Sequence, residues 1–449
     1  MTEVHIGIDD VDSIQGGCTT HYAVSLAWRI KSQRVEFIDY LNLIRLNPSI
    51  PWKTRGNGAV AIRLRVVNSD TIEKLWSMVV ETLEEYVSDL DDRKHQPTVI
   101  MHIGDIPDEY YWLSRRALSD LVPLETALKV ANKYKASTRM HYLKGMRGII
   151  GALASIGYTM RNTDYTYELI AYRRREYWGL PRQVDNDSVK EIDRLYGDNM
   201  ILNYDYEVGK ALITPRGPDP VLLGLRGENP FVLIEAFKRL KISEPVEYIA
   251  LFRTNQHTDC HLRKVESIYD IKPYMCVIVK GYVSTKPRRV IGGHVFFKLC
   301  DDSHCIDIAV YEPSKSMRTI VEKLAIGDEI EVYGCTRPPS SAHGLTLNAE
   351  KINVLRLVEL YVEENPHCPR CGARMESMGK NKGYRCKRCK YRDQSIIKLR
   401  IKVEREITPG IYQPPKRAFK HHMKPIERIG REKKSYEKIE IEDFIWRLT

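Results

Sequence analysis

Two Cys-x-x-Cys pairs, Cys368-Pro-Arg-Cys371 and Cys386-Lys-Arg-Cys389, stand with fourteen residues between them. Four thiolates at that spacing close a tetrahedral Zn²⁺ site and leave no open position, so the metal is structural and the chain around it must form a small ribbon. A redox pair is the competing use of such thiols. The other six cysteines, Cys18, Cys260, Cys276, Cys300, Cys305 and Cys335, are scattered with no secreted disulfide pattern. That fits a reducing compartment, with a Cys300–Cys305 bond left open.

Charge is concentrated at the same end of the chain. Residues 366–449 hold 23 Lys/Arg against 10 Asp/Glu, a balance of +13, which leaves −2 for the first 365 residues of a chain whose total is +11. A basic end on a nearly neutral body reads as a grip for a polyanion, the alternative being a solvated tail. Arg370, Lys382, Arg388 and Lys390 beside the cysteines suit RNA phosphates. No apolar run approaches the ~20 residues of a membrane span. A cytoplasmic protein without a membrane partner is expected.

The opposite end is acidic. Val4–Ile8 is a β-branched run of buried-strand length, and Asp9, Asp10 and Asp12 follow it within four residues. Crowded carboxylates call for a cation, and hard oxygen ligands suit Mg²⁺, so the cluster reads as a metal–nucleotide site at a strand's carboxyl end. Gly16 and Gly17 let backbone approach a ligand, and Thr19 and Thr20 precede the helical spacing Ala23, Leu26, Ala27, Ile30. A solvated turn with a capping threonine is the plainer reading. Cys18 reads as a small buried hydrophobe.

Strands are expected at Val35–Tyr40 and Ala59–Val67, with Asn47-Pro-Ser-Ile-Pro-Trp-Lys-Thr-Arg-Gly-Asn-Gly58 between them. Its two cations and open amides suit a triphosphate, and a hairpin connection explains its glycines equally well. Helical periodicity over 70–95, a strand at Pro97–Ile103 and a helix over 113–133 complete an alternating α/β unit. From about 273 to 356 the pattern becomes five short strands, Met275–Val283, His294–Leu299, Cys305–Tyr311, Glu329–Gly334 and Leu345–Val354, with a helix at Ser316–Leu324 before the fourth. That is the order of an OB-fold β-barrel, and Tyr282, Phe296, Phe297 and Tyr311 are candidates for a base-stacking platform.

Asp9-Asp10-Val11-Asp12-Ser13 with Gly17-Cys18-Thr19-Thr20, and the 47–58 segment, resemble the archaeal tRNA(Ile) 2-agmatinylcytidine synthetases. The resemblance implies a multidomain α+β chain: an α/β kinase-like catalytic ATP-binding domain (1–136), a ferredoxin-like domain (137–260), the OB fold (271–358), the zinc ribbon (364–394) and a basic C-terminal segment (395–449). It implies an ATP-dependent ligase that activates carbon 2 of the wobble cytidine of an isoleucine tRNA by phosphorylating its carbonyl oxygen and displaces the phosphate with agmatine, so that AUA codons are decoded. Asp9, Asp10, Asp12 and Thr19 would be catalytic, the acids holding Mg²⁺ and Thr19 becoming phosphorylated. Thr20, Lys53, Arg55, Gly56, Asn57 and Gly58 would surround the ATP, with Lys53 and Arg55 stabilising charge on the transferring group. Val11 departs from the family's threonine. Glu168, Asp205, Asp219 and Glu228 are candidates for the agmatine pocket. Zn²⁺ belongs to Cys368, Cys371, Cys386 and Cys389, and a monomer or weak oligomer is expected. The rival readings are a non-catalytic tRNA binder and an RNA or protein kinase without amine transfer.

Overall fold

Val4, Ile6 and Ile8 are fully buried on a strand whose intervening His5 is buried too, so β1 (Thr2–Asp9) is covered on both faces. The computed structural model describes residues 1–448 except 15, 34, 89, 91–94 and 342. After β1 come α1 (Thr19–Lys31), β2 (Leu41–Arg45), β3 (Gly58–Val66), α2 (Ser69–Val87), β4 (Thr98–Ile103), α3 (Asp108–Ser119), α4 (Leu124–Lys133), β5 (Thr138–Tyr142) and α5 (Gly148–Gly157). β6 (Thr166–Arg173), α6 (Asn186–Tyr196), β7 (Val221–Gly227), α7 (Pro230–Arg239) and β8 (Val246–Thr254) follow.

The strands through β8 form one sheet in the order β7-β6-β8-β2-β3-β1-β4-β5. Its two halves meet at the parallel pair β8·β2, where Phe252, Arg253 and Thr254 face Leu41, Asn42 and Leu43. The Asn255 side chain extends that pairing, accepting from Arg45 N–H at 2.7 Å and donating to Arg45 C=O at 3.0 Å. An amide side chain can imitate a strand neighbour in this way because it carries both donor and acceptor.

Two expectations change here. The strand foreseen at Val35–Tyr40 forms as a two-residue pairing at Glu36–Phe37, with the main strand at Leu41–Arg45. The helix over 113–133 is broken into α3 and α4 by Asp120–Pro123, since proline has no N–H to continue a helix and constrains its predecessor. β5 pairs with β4, and α5 lies over β1, β3 and β4. Small residues allow that contact, because a Cβ at Gly7 would stand 2.1 Å from the Ala152 carbonyl oxygen. Of the 70–95 helical stretch, residues 89 and 91–94 lie outside the described residues.

A second core is formed by β9 (Cys276–Val283), β10 (Val295–Cys300), β11 (Cys305–Val310), α8 (Ser316–Val321), β12 (Glu329–Arg337) and β13 (Thr346–Arg356). The barrel closes where Tyr282 and Val283 on β9 meet Cys300 and Leu299 on β10. The helix falls between the third and fourth strands, as the sequence order required. Two disulfides join directly opposed residues, Cys300–Cys305 across β10 and β11 and Cys276–Cys335 across β9 and β12. The second was not foreseen, since its halves are 59 residues apart.

The basic terminal segment is not a free arm. β14 (Gly410–Tyr412) joins β13, and β15 (Ile445–Arg447) joins β8, so the strap is stitched into both cores. Between them Arg428 pairs with Asp164 and Glu228, Lys433 with Glu228, Arg417 with Asp205 and Glu207, and Lys420 with Glu350. Much of the strap's charge is therefore neutralised internally.

Candidate active site and metal centre

β1 ends at Asp9, and the chain turns through Asp10 at a left-handed φ of 58°, which aspartate tolerates better than most residues. Asp10 Oδ2 accepts the Gln96 N–H at 3.0 Å and the Arg147 guanidinium at 2.7 Å. Gly17, at φ 75°, brings the chain back toward α1. There Asp12 Oδ1 accepts the Thr19 N–H at 3.2 Å, while Thr19 Oγ1 accepts the Val11 N–H at 3.3 Å. The Thr54 hydroxyl lies 3.4 Å from both Asp10 Oδ1 and Asp12 Oδ2. The acids, Thr19 and the 47–58 loop are thus brought to one place.

Electrostatically this turn is poised for a cation. Burial pushes the Asp9 carboxyl well above its ordinary range, and the neighbouring Asp10 adds to the effect. Burial also raises Asp10, against the opposing pull of Arg147. A divalent ion among these oxygens favours their charged forms, and carboxylate and hydroxyl donors suit Mg²⁺.

Above the turn opens a cavity of about 380 Å³. Asp9, Asp10, Lys53, Thr54, Asn57 and Arg147 supply its polar wall. Trp52, Leu121, Val122, Pro123 and Ile150 supply an apolar one, and Asp120 lies among them. An apolar pocket with a few convergent polar groups is what a bound organic molecule requires. Trp52, Asp120 and Arg147 escaped the sequence reading. Trp52 was within the quoted loop, whereas Arg147 reaches the acids only because α5 folds back over β1.

Other expected groups are placed differently. Arg55 donates to the Ser13 and Gly17 carbonyls at 2.7 and 3.0 Å and lies 3.4 Å from Asp219, so it clamps the acidic turn instead of lining the cavity. Gly56 and Gly58 face the Arg45 guanidinium. The Thr20 hydroxyl is 3.0 Å from Cys18 Sγ, and Cys18 is buried with its thiol pushed up to about 12 by that burial. The four carboxylates suggested for agmatine are all paired: Glu168 with Gln256 and Arg45, Asp205 with Arg417, Asp219 with Arg55 and Arg182, Glu228 with Arg428.

At the other end, Cys368, Cys371, Cys386 and Cys389 bring their sulfurs within 4.8 Å of one another. The Cys389 N–H points at Cys386 Sγ and lowers that thiol to about 6. Amide-stabilised thiolates at this separation fit a structural Zn²⁺. Lys380, Lys382, Arg388, Lys390 and Arg392 are exposed around it. On the barrel, Tyr282 and Tyr311 are 40% and 39% exposed and Phe296 lies beside Tyr311, whereas Phe297 is 3% exposed and belongs to the core because its side chain points inward on β10.

Four family models match the chain in succession: the TiaS TCKD domain over residues 5–142, the TiaS FLD domain over 146–261, an OB-fold nucleic acid binding domain over 277–355 and the TiaS C-terminal zinc ribbon domain over 365–407. The tRNA(Ile₂) 2-agmatinylcytidine synthetase TiaS of Staphylothermus marinus is 48% identical, covering 99% of this chain and 98% of that protein. The protein of the same name from Methanocaldococcus jannaschii is 39% identical, covering 96% and 99%. Among solved structures, the complex of TiaS with its isoleucine tRNA and ATP superposes with a TM-score of 0.86 at 36% identity, covering 96% of this chain and 98% of that one. The complex of TiaS with that tRNA, AMPCPP and agmatine does so with a TM-score of 0.84 at 34% identity, covering 96% and 98%.

Proposed function

Since this chain belongs to the tRNA(Ile) 2-agmatinylcytidine synthetases, which join agmatine to a cytidine of an isoleucine tRNA in an ATP-dependent reaction, we propose that it performs that ligation in the cavity above its acidic turn. The observation that carries this placement is the convergence of Asp9, Asp10, Thr54 and Arg147 on one cavity with an apolar wall. Mg²⁺ held by Asp9, Asp10 and Asp12 would neutralise phosphate charge when bound. Lys53 and Arg147 stabilise negative charge on the transferring group, and the Asn57 side chain, fixed on the Asn47 carbonyl at 2.8 Å, holds the loop open toward it. Thr19 presents its hydroxyl at the first turn of α1 as the phosphoryl acceptor, positioned by Asp12 and Val11.

On this reading carbon 2 of the wobble cytidine is activated as a phosphoryl ester, because its oxygen is otherwise a poor leaving group, and the agmatine amine displaces phosphate. Asp120, which lies on the apolar wall of the same cavity and also faces Arg263 at 3.5 Å and Arg116 at 3.9 Å, is the carboxylate there, apart from the acidic turn, that would attract agmatine's cationic end. The half-sheet bearing β1 and α1 is the kinase-like unit, and β6–β8 with α6 and α7 form the ferredoxin-like one, supported by their antiparallel order β7-β6-β8. The barrel and zinc ribbon hold the tRNA.

The test is incubation of the full chain with a transcript of that isoleucine tRNA, ATP, Mg²⁺ and labelled agmatine. Label in the RNA that depends on ATP is the expected result. ATP turnover without label would assign a kinase, and RNA binding with neither would leave only a binder.

A further inference from the structure

Where the barrel, the 46–49 loop and the strap meet, a second set of ligand-type side chains converges away from the acidic turn. His261 follows β8, Cys335 lies on β12 and Glu350 on β13; all are buried, and one donor atom of each lies within 4.8 Å of the others. His261 Nε2 is 2.9 Å from Glu350 Oε2, but its Nδ1 is buried with no hydrogen-bond partner among the described residues. The His422 ring stands 4.8 Å from that of His261, anchored through Nε2 to the Leu46 carbonyl at 2.7 Å, and its Nδ1 is likewise unpartnered. Among the described residues, hydrogen bonding leaves these two imidazole nitrogens of the cluster without a partner.

Cys335 is bonded to Cys276, and a disulfide sulfur is a poor metal ligand. Transfer of two electrons and two protons from a dithiol, itself oxidised to a disulfide, would break that bond and give two thiols. Cys335 would then lose its proton on binding a metal. We propose that the reduced protein holds a second Zn²⁺ on Cys335, His261 and Glu350, with the Cys276 sulfur adjacent for the fourth position. The mixed sulfur, nitrogen and oxygen set is the one zinc accepts, and Glu350 Oε1 remains on Lys420 at 2.9 Å.

The site adjoins the active-site loop. Cys276 Sγ lies 3.4 Å from Asn47 Oδ1, and the Ser49 hydroxyl donates to the Thr336 carbonyl at 2.6 Å. Metal loading is thereby linked to the segment that carries Lys53.

To test this, disulfide-bonded full-length protein with its ribbon loaded is divided and one half is reduced with a phosphine. Both halves are then equilibrated with zinc, desalted and analysed for metal. About two zinc ions per chain are expected after reduction and about one without it, with Cys335→Ser and His261→Asn holding about one in either state. About one zinc in the reduced wild-type protein, or a second zinc that survives both substitutions, would overturn the assignment.

Discussion

The Arg147 guanidinium donates to the Asp10 carboxylate at 2.7 Å across 137 residues of sequence, tying the start of α5 to the acidic turn. Arg147 opposes the burial that raises Asp10, so removing it should raise that carboxyl further. Arg147→Ala is therefore expected to lower kcat by about 10²–10³-fold, the usual scale for losing one charge-stabilising donor. It should also move the acidic limb of the pH–rate profile upward, while Arg147→Lys recovers part of the rate. Steady-state kinetics across pH with labelled agmatine would decide it, and an unshifted limb would contradict the coupling.

A stability consequence follows from the raised Asp9 and Asp10 carboxyls. A carboxyl whose folded value exceeds its unfolded value binds more protons in the folded state, so stability falls as pH rises from the ordinary 3.8 toward the raised values. At neutral pH both must ionise inside the fold, and Mg²⁺ should offset that cost. Calorimetry at pH 7 is expected to show Mg²⁺ raising Tm, with about 2.7 kcal/mol of added stability at one hundred times Kd. Asp9→Asn/Asp10→Asn should be less sensitive both to the ion and to pH in this window.

The acidic turn, the barrel order and the ribbon were legible because each is local: a strand followed by carboxylates, five short strands with one helix, two spaced cysteine pairs. What escaped depends on contacts between distant segments. Nothing near Gly148 announces that α5 returns to cover β1, and the Pro123 break matters only because its loop walls the cavity. The strap's cations looked available for RNA since sequence does not reveal that Arg428 would meet Asp164 and Glu228. The partners of Arg55 were hidden for the same reason: its contacts with the Ser13 and Gly17 carbonyls join segments that sequence alone does not bring together.

The ribbon and strap should be separable in function. Deleting 366–449 would remove β14 and β15 with the ribbon and so disturb both cores, whereas excising 366–398 and joining the ends spares the strap. The shorter excision is expected to weaken tRNA binding and flatten its salt dependence, since the exposed cations near the four cysteines are lost. ATP binding should survive. Filter binding across salt concentrations, alongside nucleotide titration, measures both.

Arg428 is the strap's main anchor. Its guanidinium, 3% exposed, reaches the Asp164 and Glu228 carboxylates and the His257 and Tyr165 carbonyls. Arg428→Ala would leave two partly buried carboxylates without it, and breaking such a pair typically costs about 3–5 kcal/mol. Denaturant unfolding should show a loss of that order, and a change below about 1 kcal/mol would mean that the strap is only loosely attached.

Gly151 offers a test of how closely α5 constrains the chemistry. A Cβ there would stand 2.0 Å from Asp9 Oδ2 and 2.9 Å from Leu46 Cδ1, so Gly151→Ala must displace the carboxylate, the helix or both. Helical propensity alone would make alanine stabilising by about 1 kcal/mol. If the Asp9 position governs metal binding, the substitution should instead lower kcat at fixed Mg²⁺ and raise the Mg²⁺ concentration needed for half-maximal rate, while far-UV circular dichroism stays unchanged. Unchanged kinetics together with a higher Tm would show that Asp9 can move aside without consequence, and would remove it from the metal site.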